Sequence, residues 1–278
     1  MLVRIGSRGS RLAITQAEIA GAIVRAAGHE VAYVPITTAG DRDRSSPFGQ
    51  IGERGVFVKE IEEALLGDRI DVAVHSAKDM TSTDTDGLVV GAYLERDDPR
   101  DALVGADRIE PGMRIGTASV RRRAQLLAHD PSIVVEPLRG NIDTRIRKAK
   151  ERGLDALILA ACGLDRLGLA DQIGLRIPVD LMLPEASQGA LALQVRAGDE
   201  AFVAGGDSAE TRRQVEAERA CVAQIGAGCL APVAAHHDGT SFTALVAAED
   251  GSWVERRSNA DPSRVTTELL EVIAARRA

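Results

Sequence analysis

Residues Ile70–Met80 read IDVAVHSAKDM, and the fold follows from how this stretch is read. Ile70 to Val74 is short, mostly apolar and rich in β-branched residues, as a buried strand should be. His75, Lys78 and Asp79 then arrive together. In open α/β sheets ligands gather beyond the carboxyl ends of strands, so a polar cluster at this point is a candidate site. The puzzle is the carboxylate of Asp79, placed beside a lysine in a chain that elsewhere arms its loops with arginine.

Working outward, the first ninety-odd residues alternate strand and helix. LVRIG (residues 2–6) is a strand, and Ser10 is placed to cap a helix from Leu12 to Ala27 that stops at Gly28. VAYVPITT is the next strand. A long polar loop then leads to a helix at VFVKEIEEALLGD, with Val58, Ile61, Ala64 and Leu65 on one face. This rhythm predicts a largely parallel sheet with helices on its faces. It restarts after ERDDPRDALV: MRIGTAS runs into VRRRAQLLA, IVVEPLRG into NIDTRIRKAKERG, and DALILAA into CGLDRLGL. ALALQVRA is a further strand placed to return to the first unit. From Ala209 the character changes to a helix, a Gly-rich loop IGAGCLAPV, strands separated by HDG and EDG turns, and a final helix. The expected architecture is two α/β domains of the periplasmic-binding-protein type flanking a cleft, plus a small α+β domain. Its parts are residues 1–96 with 189–208, residues 97–188, and residues 209–278.

Composition narrows the function classes. A chain of 278 residues with 45% hydrophobic content can bury a full core, and 3% aromatic content leaves Leu, Ile, Val and Ala to fill it. The formal charge of −7 removes a global basic footprint for nucleic acid. No apolar run approaches a membrane span, and the N-terminus shows no signal-peptide core. Three cysteines (Cys162, Cys221, Cys229) cannot all pair, which points to a reducing cytoplasm. Lysine stands only at 59, 78, 148 and 150, so 30 of the 34 basic residues are arginine. Codon bias accounts for scattered arginines. Arginines clustered beside Gly, Ser, Thr and Asn at element ends suit bidentate carboxylate or phosphate recognition.

Three such clusters follow strands. GTASVRRR sets Thr117 and Ser119 at a helix N-terminus, where free N–H groups and the dipole favour an anion. Arg121 and Arg122 occupy the first turn, an unfavourable place for cations without a negative partner, whereas Arg123 is expected in solvent. LRGNIDTR repeats the chemistry with Arg139 and Arg145, and Gly140 allows close backbone approach. With Ser7, Arg8 and Ser10 of GSRGS, these groups describe a site for several carboxylates on one ligand. Asp79 in such surroundings is expected to be ionised, holding an N–H donor or stabilising a cation formed in a reaction. Lys78 can neutralise a further carboxylate; a plain surface Lys–Asp pair is the alternative. Cys229 lies among glycines and is a candidate reactive thiol, although a lone cysteine also serves as an inert small residue. His236 and His237 are expected as solvated strand residues. The composition offers no metal site.

Taken together these motifs resemble the porphobilinogen deaminase family. The likeness runs through RIGSRGSRLAITQA, GVFVKEIEEALL, DVAVHSAKDM, ERDDPRDALV, GTASVRRRAQL, LRGNIDTR, ILAACGLDRLGL, ASQGALALQVR, ERACV and GAGCLAP, in order along nearly the whole chain. The resemblance implies a transferase of tetrapyrrole synthesis that deaminates porphobilinogen and joins the units head to tail into linear hydroxymethylbilane. It also implies a dipyrromethane cofactor held by a thioether to the cysteine matching Cys229, and Asp79 as the catalytic aspartate. Lys78, Thr117, Ser119, Arg121, Arg122, Arg139, Gly140, Arg145 and Gln188 then match cofactor-binding positions. Arg8, Ser10, Phe57, Arg166 and Gly189 match substrate-binding ones. A cytoplasmic monomer without nucleic-acid or membrane partners is expected. Gln50 and Arg54 stand where many relatives carry lysines, and Arg11 replaces a frequent proline. Rival readings are a two-lobed small-anion-binding protein without catalysis and an acyltransferase using Cys229. The first predicts no covalent adduct, and the second predicts thiol-dependent acyl turnover.

Overall fold

The computed structural model describes residues 1–38, 58–81, 85–226 and 232–277. The first segment contains β1 (Leu2–Arg8), α1 (Arg11–Ala26), β2 (Glu30–Ile36), α2 (Lys59–Leu66), β3 (Val72–Ser76) and β4 (Leu88–Tyr93). The middle contains β5 (Asp101–Val104), β6 (Arg114–Gly116), α3 (Val120–His129), β7 (Val134–Glu136), α4 (Ile142–Glu151), β8 (Ala156–Ala160), α5 (Ala161–Arg166) and β9 (Ile173–Arg176). Then come β10 (Leu191–Arg196), α6 (Ala209–Gly226), β11 (Val233–His237), β12 (Phe242–Ala247), β13 (Val254–Asn259) and α7 (Pro262–Arg277). Two compact units result: Met1–Asp97 with Gly189–Arg212, and Asp98–Gln188 with Arg213–Ala278.

The sheet of the first unit has the order β2-β1-β3-β10-β4. β1 pairs in parallel with β2 and β3, while β10 runs antiparallel to β3 and β4, setting Leu191 opposite Ser76 and Leu193 opposite Val74. The strand at ALALQVRA does return to this sheet. α1 begins where the Ser10 hydroxyl accepts a hydrogen bond from the Ala13 N–H at 3.2 Å, and it ends with Ala27 as C-cap. Its buried positions Ala13, Ala17, Ala20 and Val24 recur at three- and four-residue spacing. Ala17, Ala20 and Val24 pack on Val3, Ile5, Val72, Val74, Leu193 and Val195. Each fully buried branched side chain there contributes about 1.5–3 kcal/mol.

The second unit repeats the arrangement as β7-β6-β8-β5-β9, with β6 parallel to β7 and β8 and β5 antiparallel to β8 and β9. In both sheets the first strand of a βαβαβ run sits between its two successors, and one antiparallel strand holds the fourth place. The carboxyl ends of the parallel strands therefore share an edge with the amino end of that antiparallel strand. In the first unit this brings together the residues after β1 and β3 and before β10; in the second, those after β6, β7 and β8 and before β5.

A third, antiparallel sheet, β11-β12-β13, belongs to the second unit. Its strand period of two serves two cores. Val233, Ala235, Phe242, Ala244 and Val246 pack with Cys221, Val222 and Ile225 of α6 and Val265 and Leu269 of α7. Ala234, Leu245 and Ala247 pack instead with Ala124 of α3 and with Leu183. Arg256 adds hydrogen bonds to the carbonyls of Val179 and Asp180. Because the sheet is covered on both faces, His236 and His237 are buried. The expectation that they are solvated is wrong: a turn beside a strand says nothing about what covers it. Among the described residues no helix is long and apolar enough to cross a membrane.

Candidate active site

In the first unit, the carboxyl edge of the sheet carries four of the singled-out side chains. Arg8 ends β1 and is half-buried, and Ser10 follows as the cap of α1. Lys78 and Asp79, both half-buried, lie in a single 3-10 turn, Ala77–Asp79, directly after β3. Gln16 of α1 donates to the Ser76 hydroxyl at 3.1 Å, which ties the first turns of the helix to the start of that turn. The Ala77 N–H donates to Ala190 O at 3.1 Å, which fixes the turn against the entry to β10. Gly189, at that entry, has φ +96° and lies so close to Asp97 that a Cβ would meet Asp97 O at 2.4 Å. No other residue fits there.

His75 does not join this group. It is buried, its Nε2 lies 3.1 Å from Gln194 Oε1, and burial pushes its pKa down to about 4. The Gln194 amide in turn donates to Glu62 Oε1 at 2.8 Å, and Thr85 donates to Glu62 Oε2 at 2.9 Å. The neutral imidazole therefore links β3 through β10 to α2, beneath the Asp79 turn rather than in it.

In the second unit, Thr117 and Ser119 stand between β6 and α3. The Ser119 N–H donates to Thr117 Oγ1 at 3.2 Å, and the Ser119 hydroxyl caps the Arg122 N–H at 3.4 Å. Arg123 is exposed, whereas Arg121 and Arg122 are 3% and 6% exposed. Their counter-charge is Asp101, the fully buried first residue of β5. Arg121 Nη1 donates to Asp101 Oδ2 at 2.8 Å; Arg122 donates to Oδ1 through Nε at 3.1 Å and Nη2 at 2.8 Å. Arg121 Nη1 and Arg122 Nη1 also reach the carbonyls of Leu183 and Ile158. Gln188, wholly buried, donates to the same carboxylate at 2.9 Å and to Pro99 O at 2.8 Å. Burial alone raises the Asp101 pKa, but the two guanidiniums outweigh it and hold the carboxyl below the usual range. The anion that the first-turn arginines require is thus supplied by the protein.

It is supplied only in part. Two buried guanidiniums share one carboxylate, so one positive charge is left over. Arg121 also keeps Nε and Nη2 buried with no hydrogen-bond partner. Unsatisfied buried donors on a cation are costly, and an anionic group satisfies donors and charge together.

Arg139 and Gly140 follow β7, and Arg145 lies in the first turns of α4. Gly140 has φ +124°, and a Cβ there would meet Thr144 Cγ2 at 2.9 Å, so its backbone shape is set by the turn into α4. Arg166 closes α5, the short helix that follows β8. Phe57 and Cys229, with Gln50 and Arg54, lie outside the described residues. Cys162 and Cys221 are both buried, and burial raises the Cys221 thiol. Among the described residues no cluster of His, Cys, Asp and Glu is arranged to hold a metal.

Among the buried acids that escape the sequence reading, two matter here. Asp101 carries one signal that could have found it, a charge inside the apolar strand DALV. Glu218 shares the helical stripe of Cys221, Val222 and Ile225 and is fully buried. Its carboxylate accepts from the Ser187 and His237 N–H groups at 2.5 and 2.7 Å.

Comparison with known proteins decides among the rival readings of the chain. The family profile described as "Porphobilinogen deaminase, dipyromethane cofactor binding domain" matches residues 3–204. The chain belongs to the porphobilinogen deaminase family. The porphobilinogen deaminase of Syntrophotalea carbinolica is 42% identical over 292 residues, covering 99% of this chain and 93% of the relative. That of Geobacter metallireducens is 44% identical over 264 residues, covering 90% and 83%. Among solved structures, the methionine binding protein MetQ aligns with TM-score 0.46 and 13% identity, over 76% of this chain and 92% of that one. Membership of the porphobilinogen deaminase family makes the chain an enzyme, a transferase of tetrapyrrole biosynthesis with a dipyrromethane cofactor. The structure fits a polyanionic cofactor of this kind on its own terms, through the excess positive charge at Arg121 and Arg122 and the unfilled donors of Arg121.

Proposed function

We propose that the chain deaminates porphobilinogen and joins the units head to tail into linear hydroxymethylbilane, on a dipyrromethane primer bound as a thioether to Cys229. The observation that carries this reading is the buried Arg121–Arg122–Asp101 cluster, cationic overall and short of acceptors, within the region that matches a cofactor-binding domain. When bound, dipyrromethane supplies the pyrrole end to which new units are joined. Arg121, Arg122, Thr117, Ser119, Arg139, Gly140, Arg145, Lys78 and Gln188 hold its acetate and propionate groups or shape their surroundings. Arg8, Ser10, Phe57, Arg166 and Gly189 receive the incoming unit.

Asp79 carries the chemistry. The aminomethyl C–N bond of the substrate breaks, ammonia leaves, and a cation remains on the substrate. The arginines and Lys78 that hold dipyrromethane would present its free pyrrole carbon to that cation, the chemistry it supplies being the exchange of a C–H bond for a C–C bond. An ionised Asp79, aligned by its turn after β3, holds the pyrrole N–H groups and stabilises the cation. The working enzyme is a cytoplasmic monomer, divided functionally into residues 1–96 with 189–208, 97–188, and the cofactor-bearing 209–278.

The test is the intact mass of purified protein against its chain mass of 29.4 kDa. The expected excess is one dipyrromethane, absent in Cys229→Ser, together with ammonia release and hydroxymethylbilane formation in the wild type only. A wild-type chain of unmodified mass that binds porphobilinogen without releasing ammonia refutes the reading.

A further inference from the structure

We infer that Glu218 is a positioning residue for the arginine site, acting by holding Ser187 in a left-handed backbone conformation. The inference rests on the function proposed above. Ser187 has φ +66°, one of two non-glycine residues with positive φ among those described. Such a conformation persists in a residue with a side chain only when the surroundings impose it. Its hydroxyl does not impose it, being buried without a hydrogen-bond partner. Its N–H donates to Glu218 Oε2, while Glu218 Oε1 takes the His237 N–H of β11.

The consequence lies one residue on. Gln188 follows Ser187 directly, and its amide bridges Pro99 O and Asp101 Oδ1. The Ser187 backbone sets the direction from which the Gln188 side chain departs. Asp101 in turn orients Arg121 and Arg122. A continuous path of side chains and backbone therefore runs from α6, whose end leads into the segment containing Cys229, to the guanidiniums that face a ligand. All of it lies within the second unit.

This path makes a claim that a merely stabilising carboxylate does not. If Glu218 works by enforcing the Ser187 backbone, glycine at 187 makes the enforcement unnecessary, because glycine adopts positive φ freely. The experiment is a double-mutant cycle: Glu218→Gln in the wild-type and Ser187→Gly backgrounds, each read by intact mass, by kcat and KM for porphobilinogen, and by melting temperature. In the wild-type background Glu218→Gln should lower the fraction of protein that carries the adduct about tenfold, while kcat and KM of the adduct-bearing chains change by less than about threefold. In the Ser187→Gly background the loss of adduct should fall below about threefold. The melting temperature should drop in both backgrounds, since the His237 N–H loses a carboxylate acceptor either way. Should the glutamine variant not fold, Glu218→Asp carries the same cycle, keeping the charge but withdrawing the oxygens by one methylene. Equal losses of adduct in the two backgrounds overturn the inference. The enzymatic reading itself fails separately, through an unmodified, inactive wild type.

Discussion

Replacing Asp101 with asparagine tests the electrostatic account of the site most directly. The carboxylate is wholly buried and accepts three hydrogen bonds from Arg121 and Arg122 and one from Gln188. Asparagine keeps the shape but removes the charge, and its NH₂ must face a guanidinium donor on one side. Two buried cations then lack any counter-ion. Removing one partner of a buried ion pair costs about 3–5 kcal/mol. At about 2–4 °C per kcal/mol for a unit of this size, the melting temperature should fall by about 6–20 °C at pH 7. Acid gives a second reading. The folded-state pKa of Asp101 lies below its ordinary value, so its stabilisation is present above about pH 4 and is lost as pH falls below that. The gap between wild type and Asp101→Asn should stay constant from pH 5 to 8 and narrow below pH 4. Thermal melts followed by circular dichroism across this range measure both effects. A fall of less than about 2 °C, or a gap that widens in acid, refutes the claim that Asp101 is the ionised partner of both arginines.

Asp79→Asn should keep the melting temperature within a few degrees and lower porphobilinogen turnover by about 10²–10³, since an amide cannot stabilise the developing cation. Arg122→Gln should yield protein without adduct by intact mass, whereas Arg8→Gln should carry the adduct and fail in single-turnover addition of substrate. Exposed Arg123, replaced by Gln, should match wild type in both measurements. His75, buried and neutral with its pKa pushed down to about 4, stabilises the fold fully above pH 6.5 and progressively less as pH falls toward 4. His75→Gln should remove a pH-dependent component of about 3 kcal/mol across that window, read from urea melts at successive pH values.

Legibility in the amino-acid sequence depends on how local the physical cause is. Ser10 capping α1 and Ser119 capping α3 are events within four residues of chain, and the sequence carries them openly. Helix faces are equally readable, because Ala13, Ala17, Ala20 and Val24 declare their spacing. The strand ALALQVRA is recognisable from its residues, and its return to the first sheet is expected from the rhythm of the units. Its antiparallel course between β3 and β4 is not, since pairing depends on residues more than a hundred positions apart. The burial of His236 and His237 is hidden for the same reason: α3, which covers one face of their sheet, lies far away in the chain. Asp101 is the most consequential omission. ERDDPRDALV contains four acids, and the one sequence signal that sets Asp101 apart is its place at the head of the apolar run DALV; that it faces two arginines from α3 is visible only in the fold.

That distinction also separates the chain's arginines by purpose, which composition alone could not do. At the amino edge of the first sheet, Arg4 and Arg196 meet Asp68, Asp71 and Asp199, with Asp71 accepting from both. Acids there outnumber the bases, and hydrogen bonding from Arg4 holds the Asp71 carboxyl below its ordinary range. Beside β5 and β9, Arg100 and Arg176 meet Asp98 and Asp165 in equal number. At the carboxyl edge of the second sheet the balance reverses, with two deeply buried guanidiniums to one carboxylate and donors on Arg121 unfilled. Arginines whose charge is matched within the protein hold its framework together. On the function proposed above, the pair whose charge is left unmatched, at the edge where α/β sheets bind ligands, is prepared for an anion from outside.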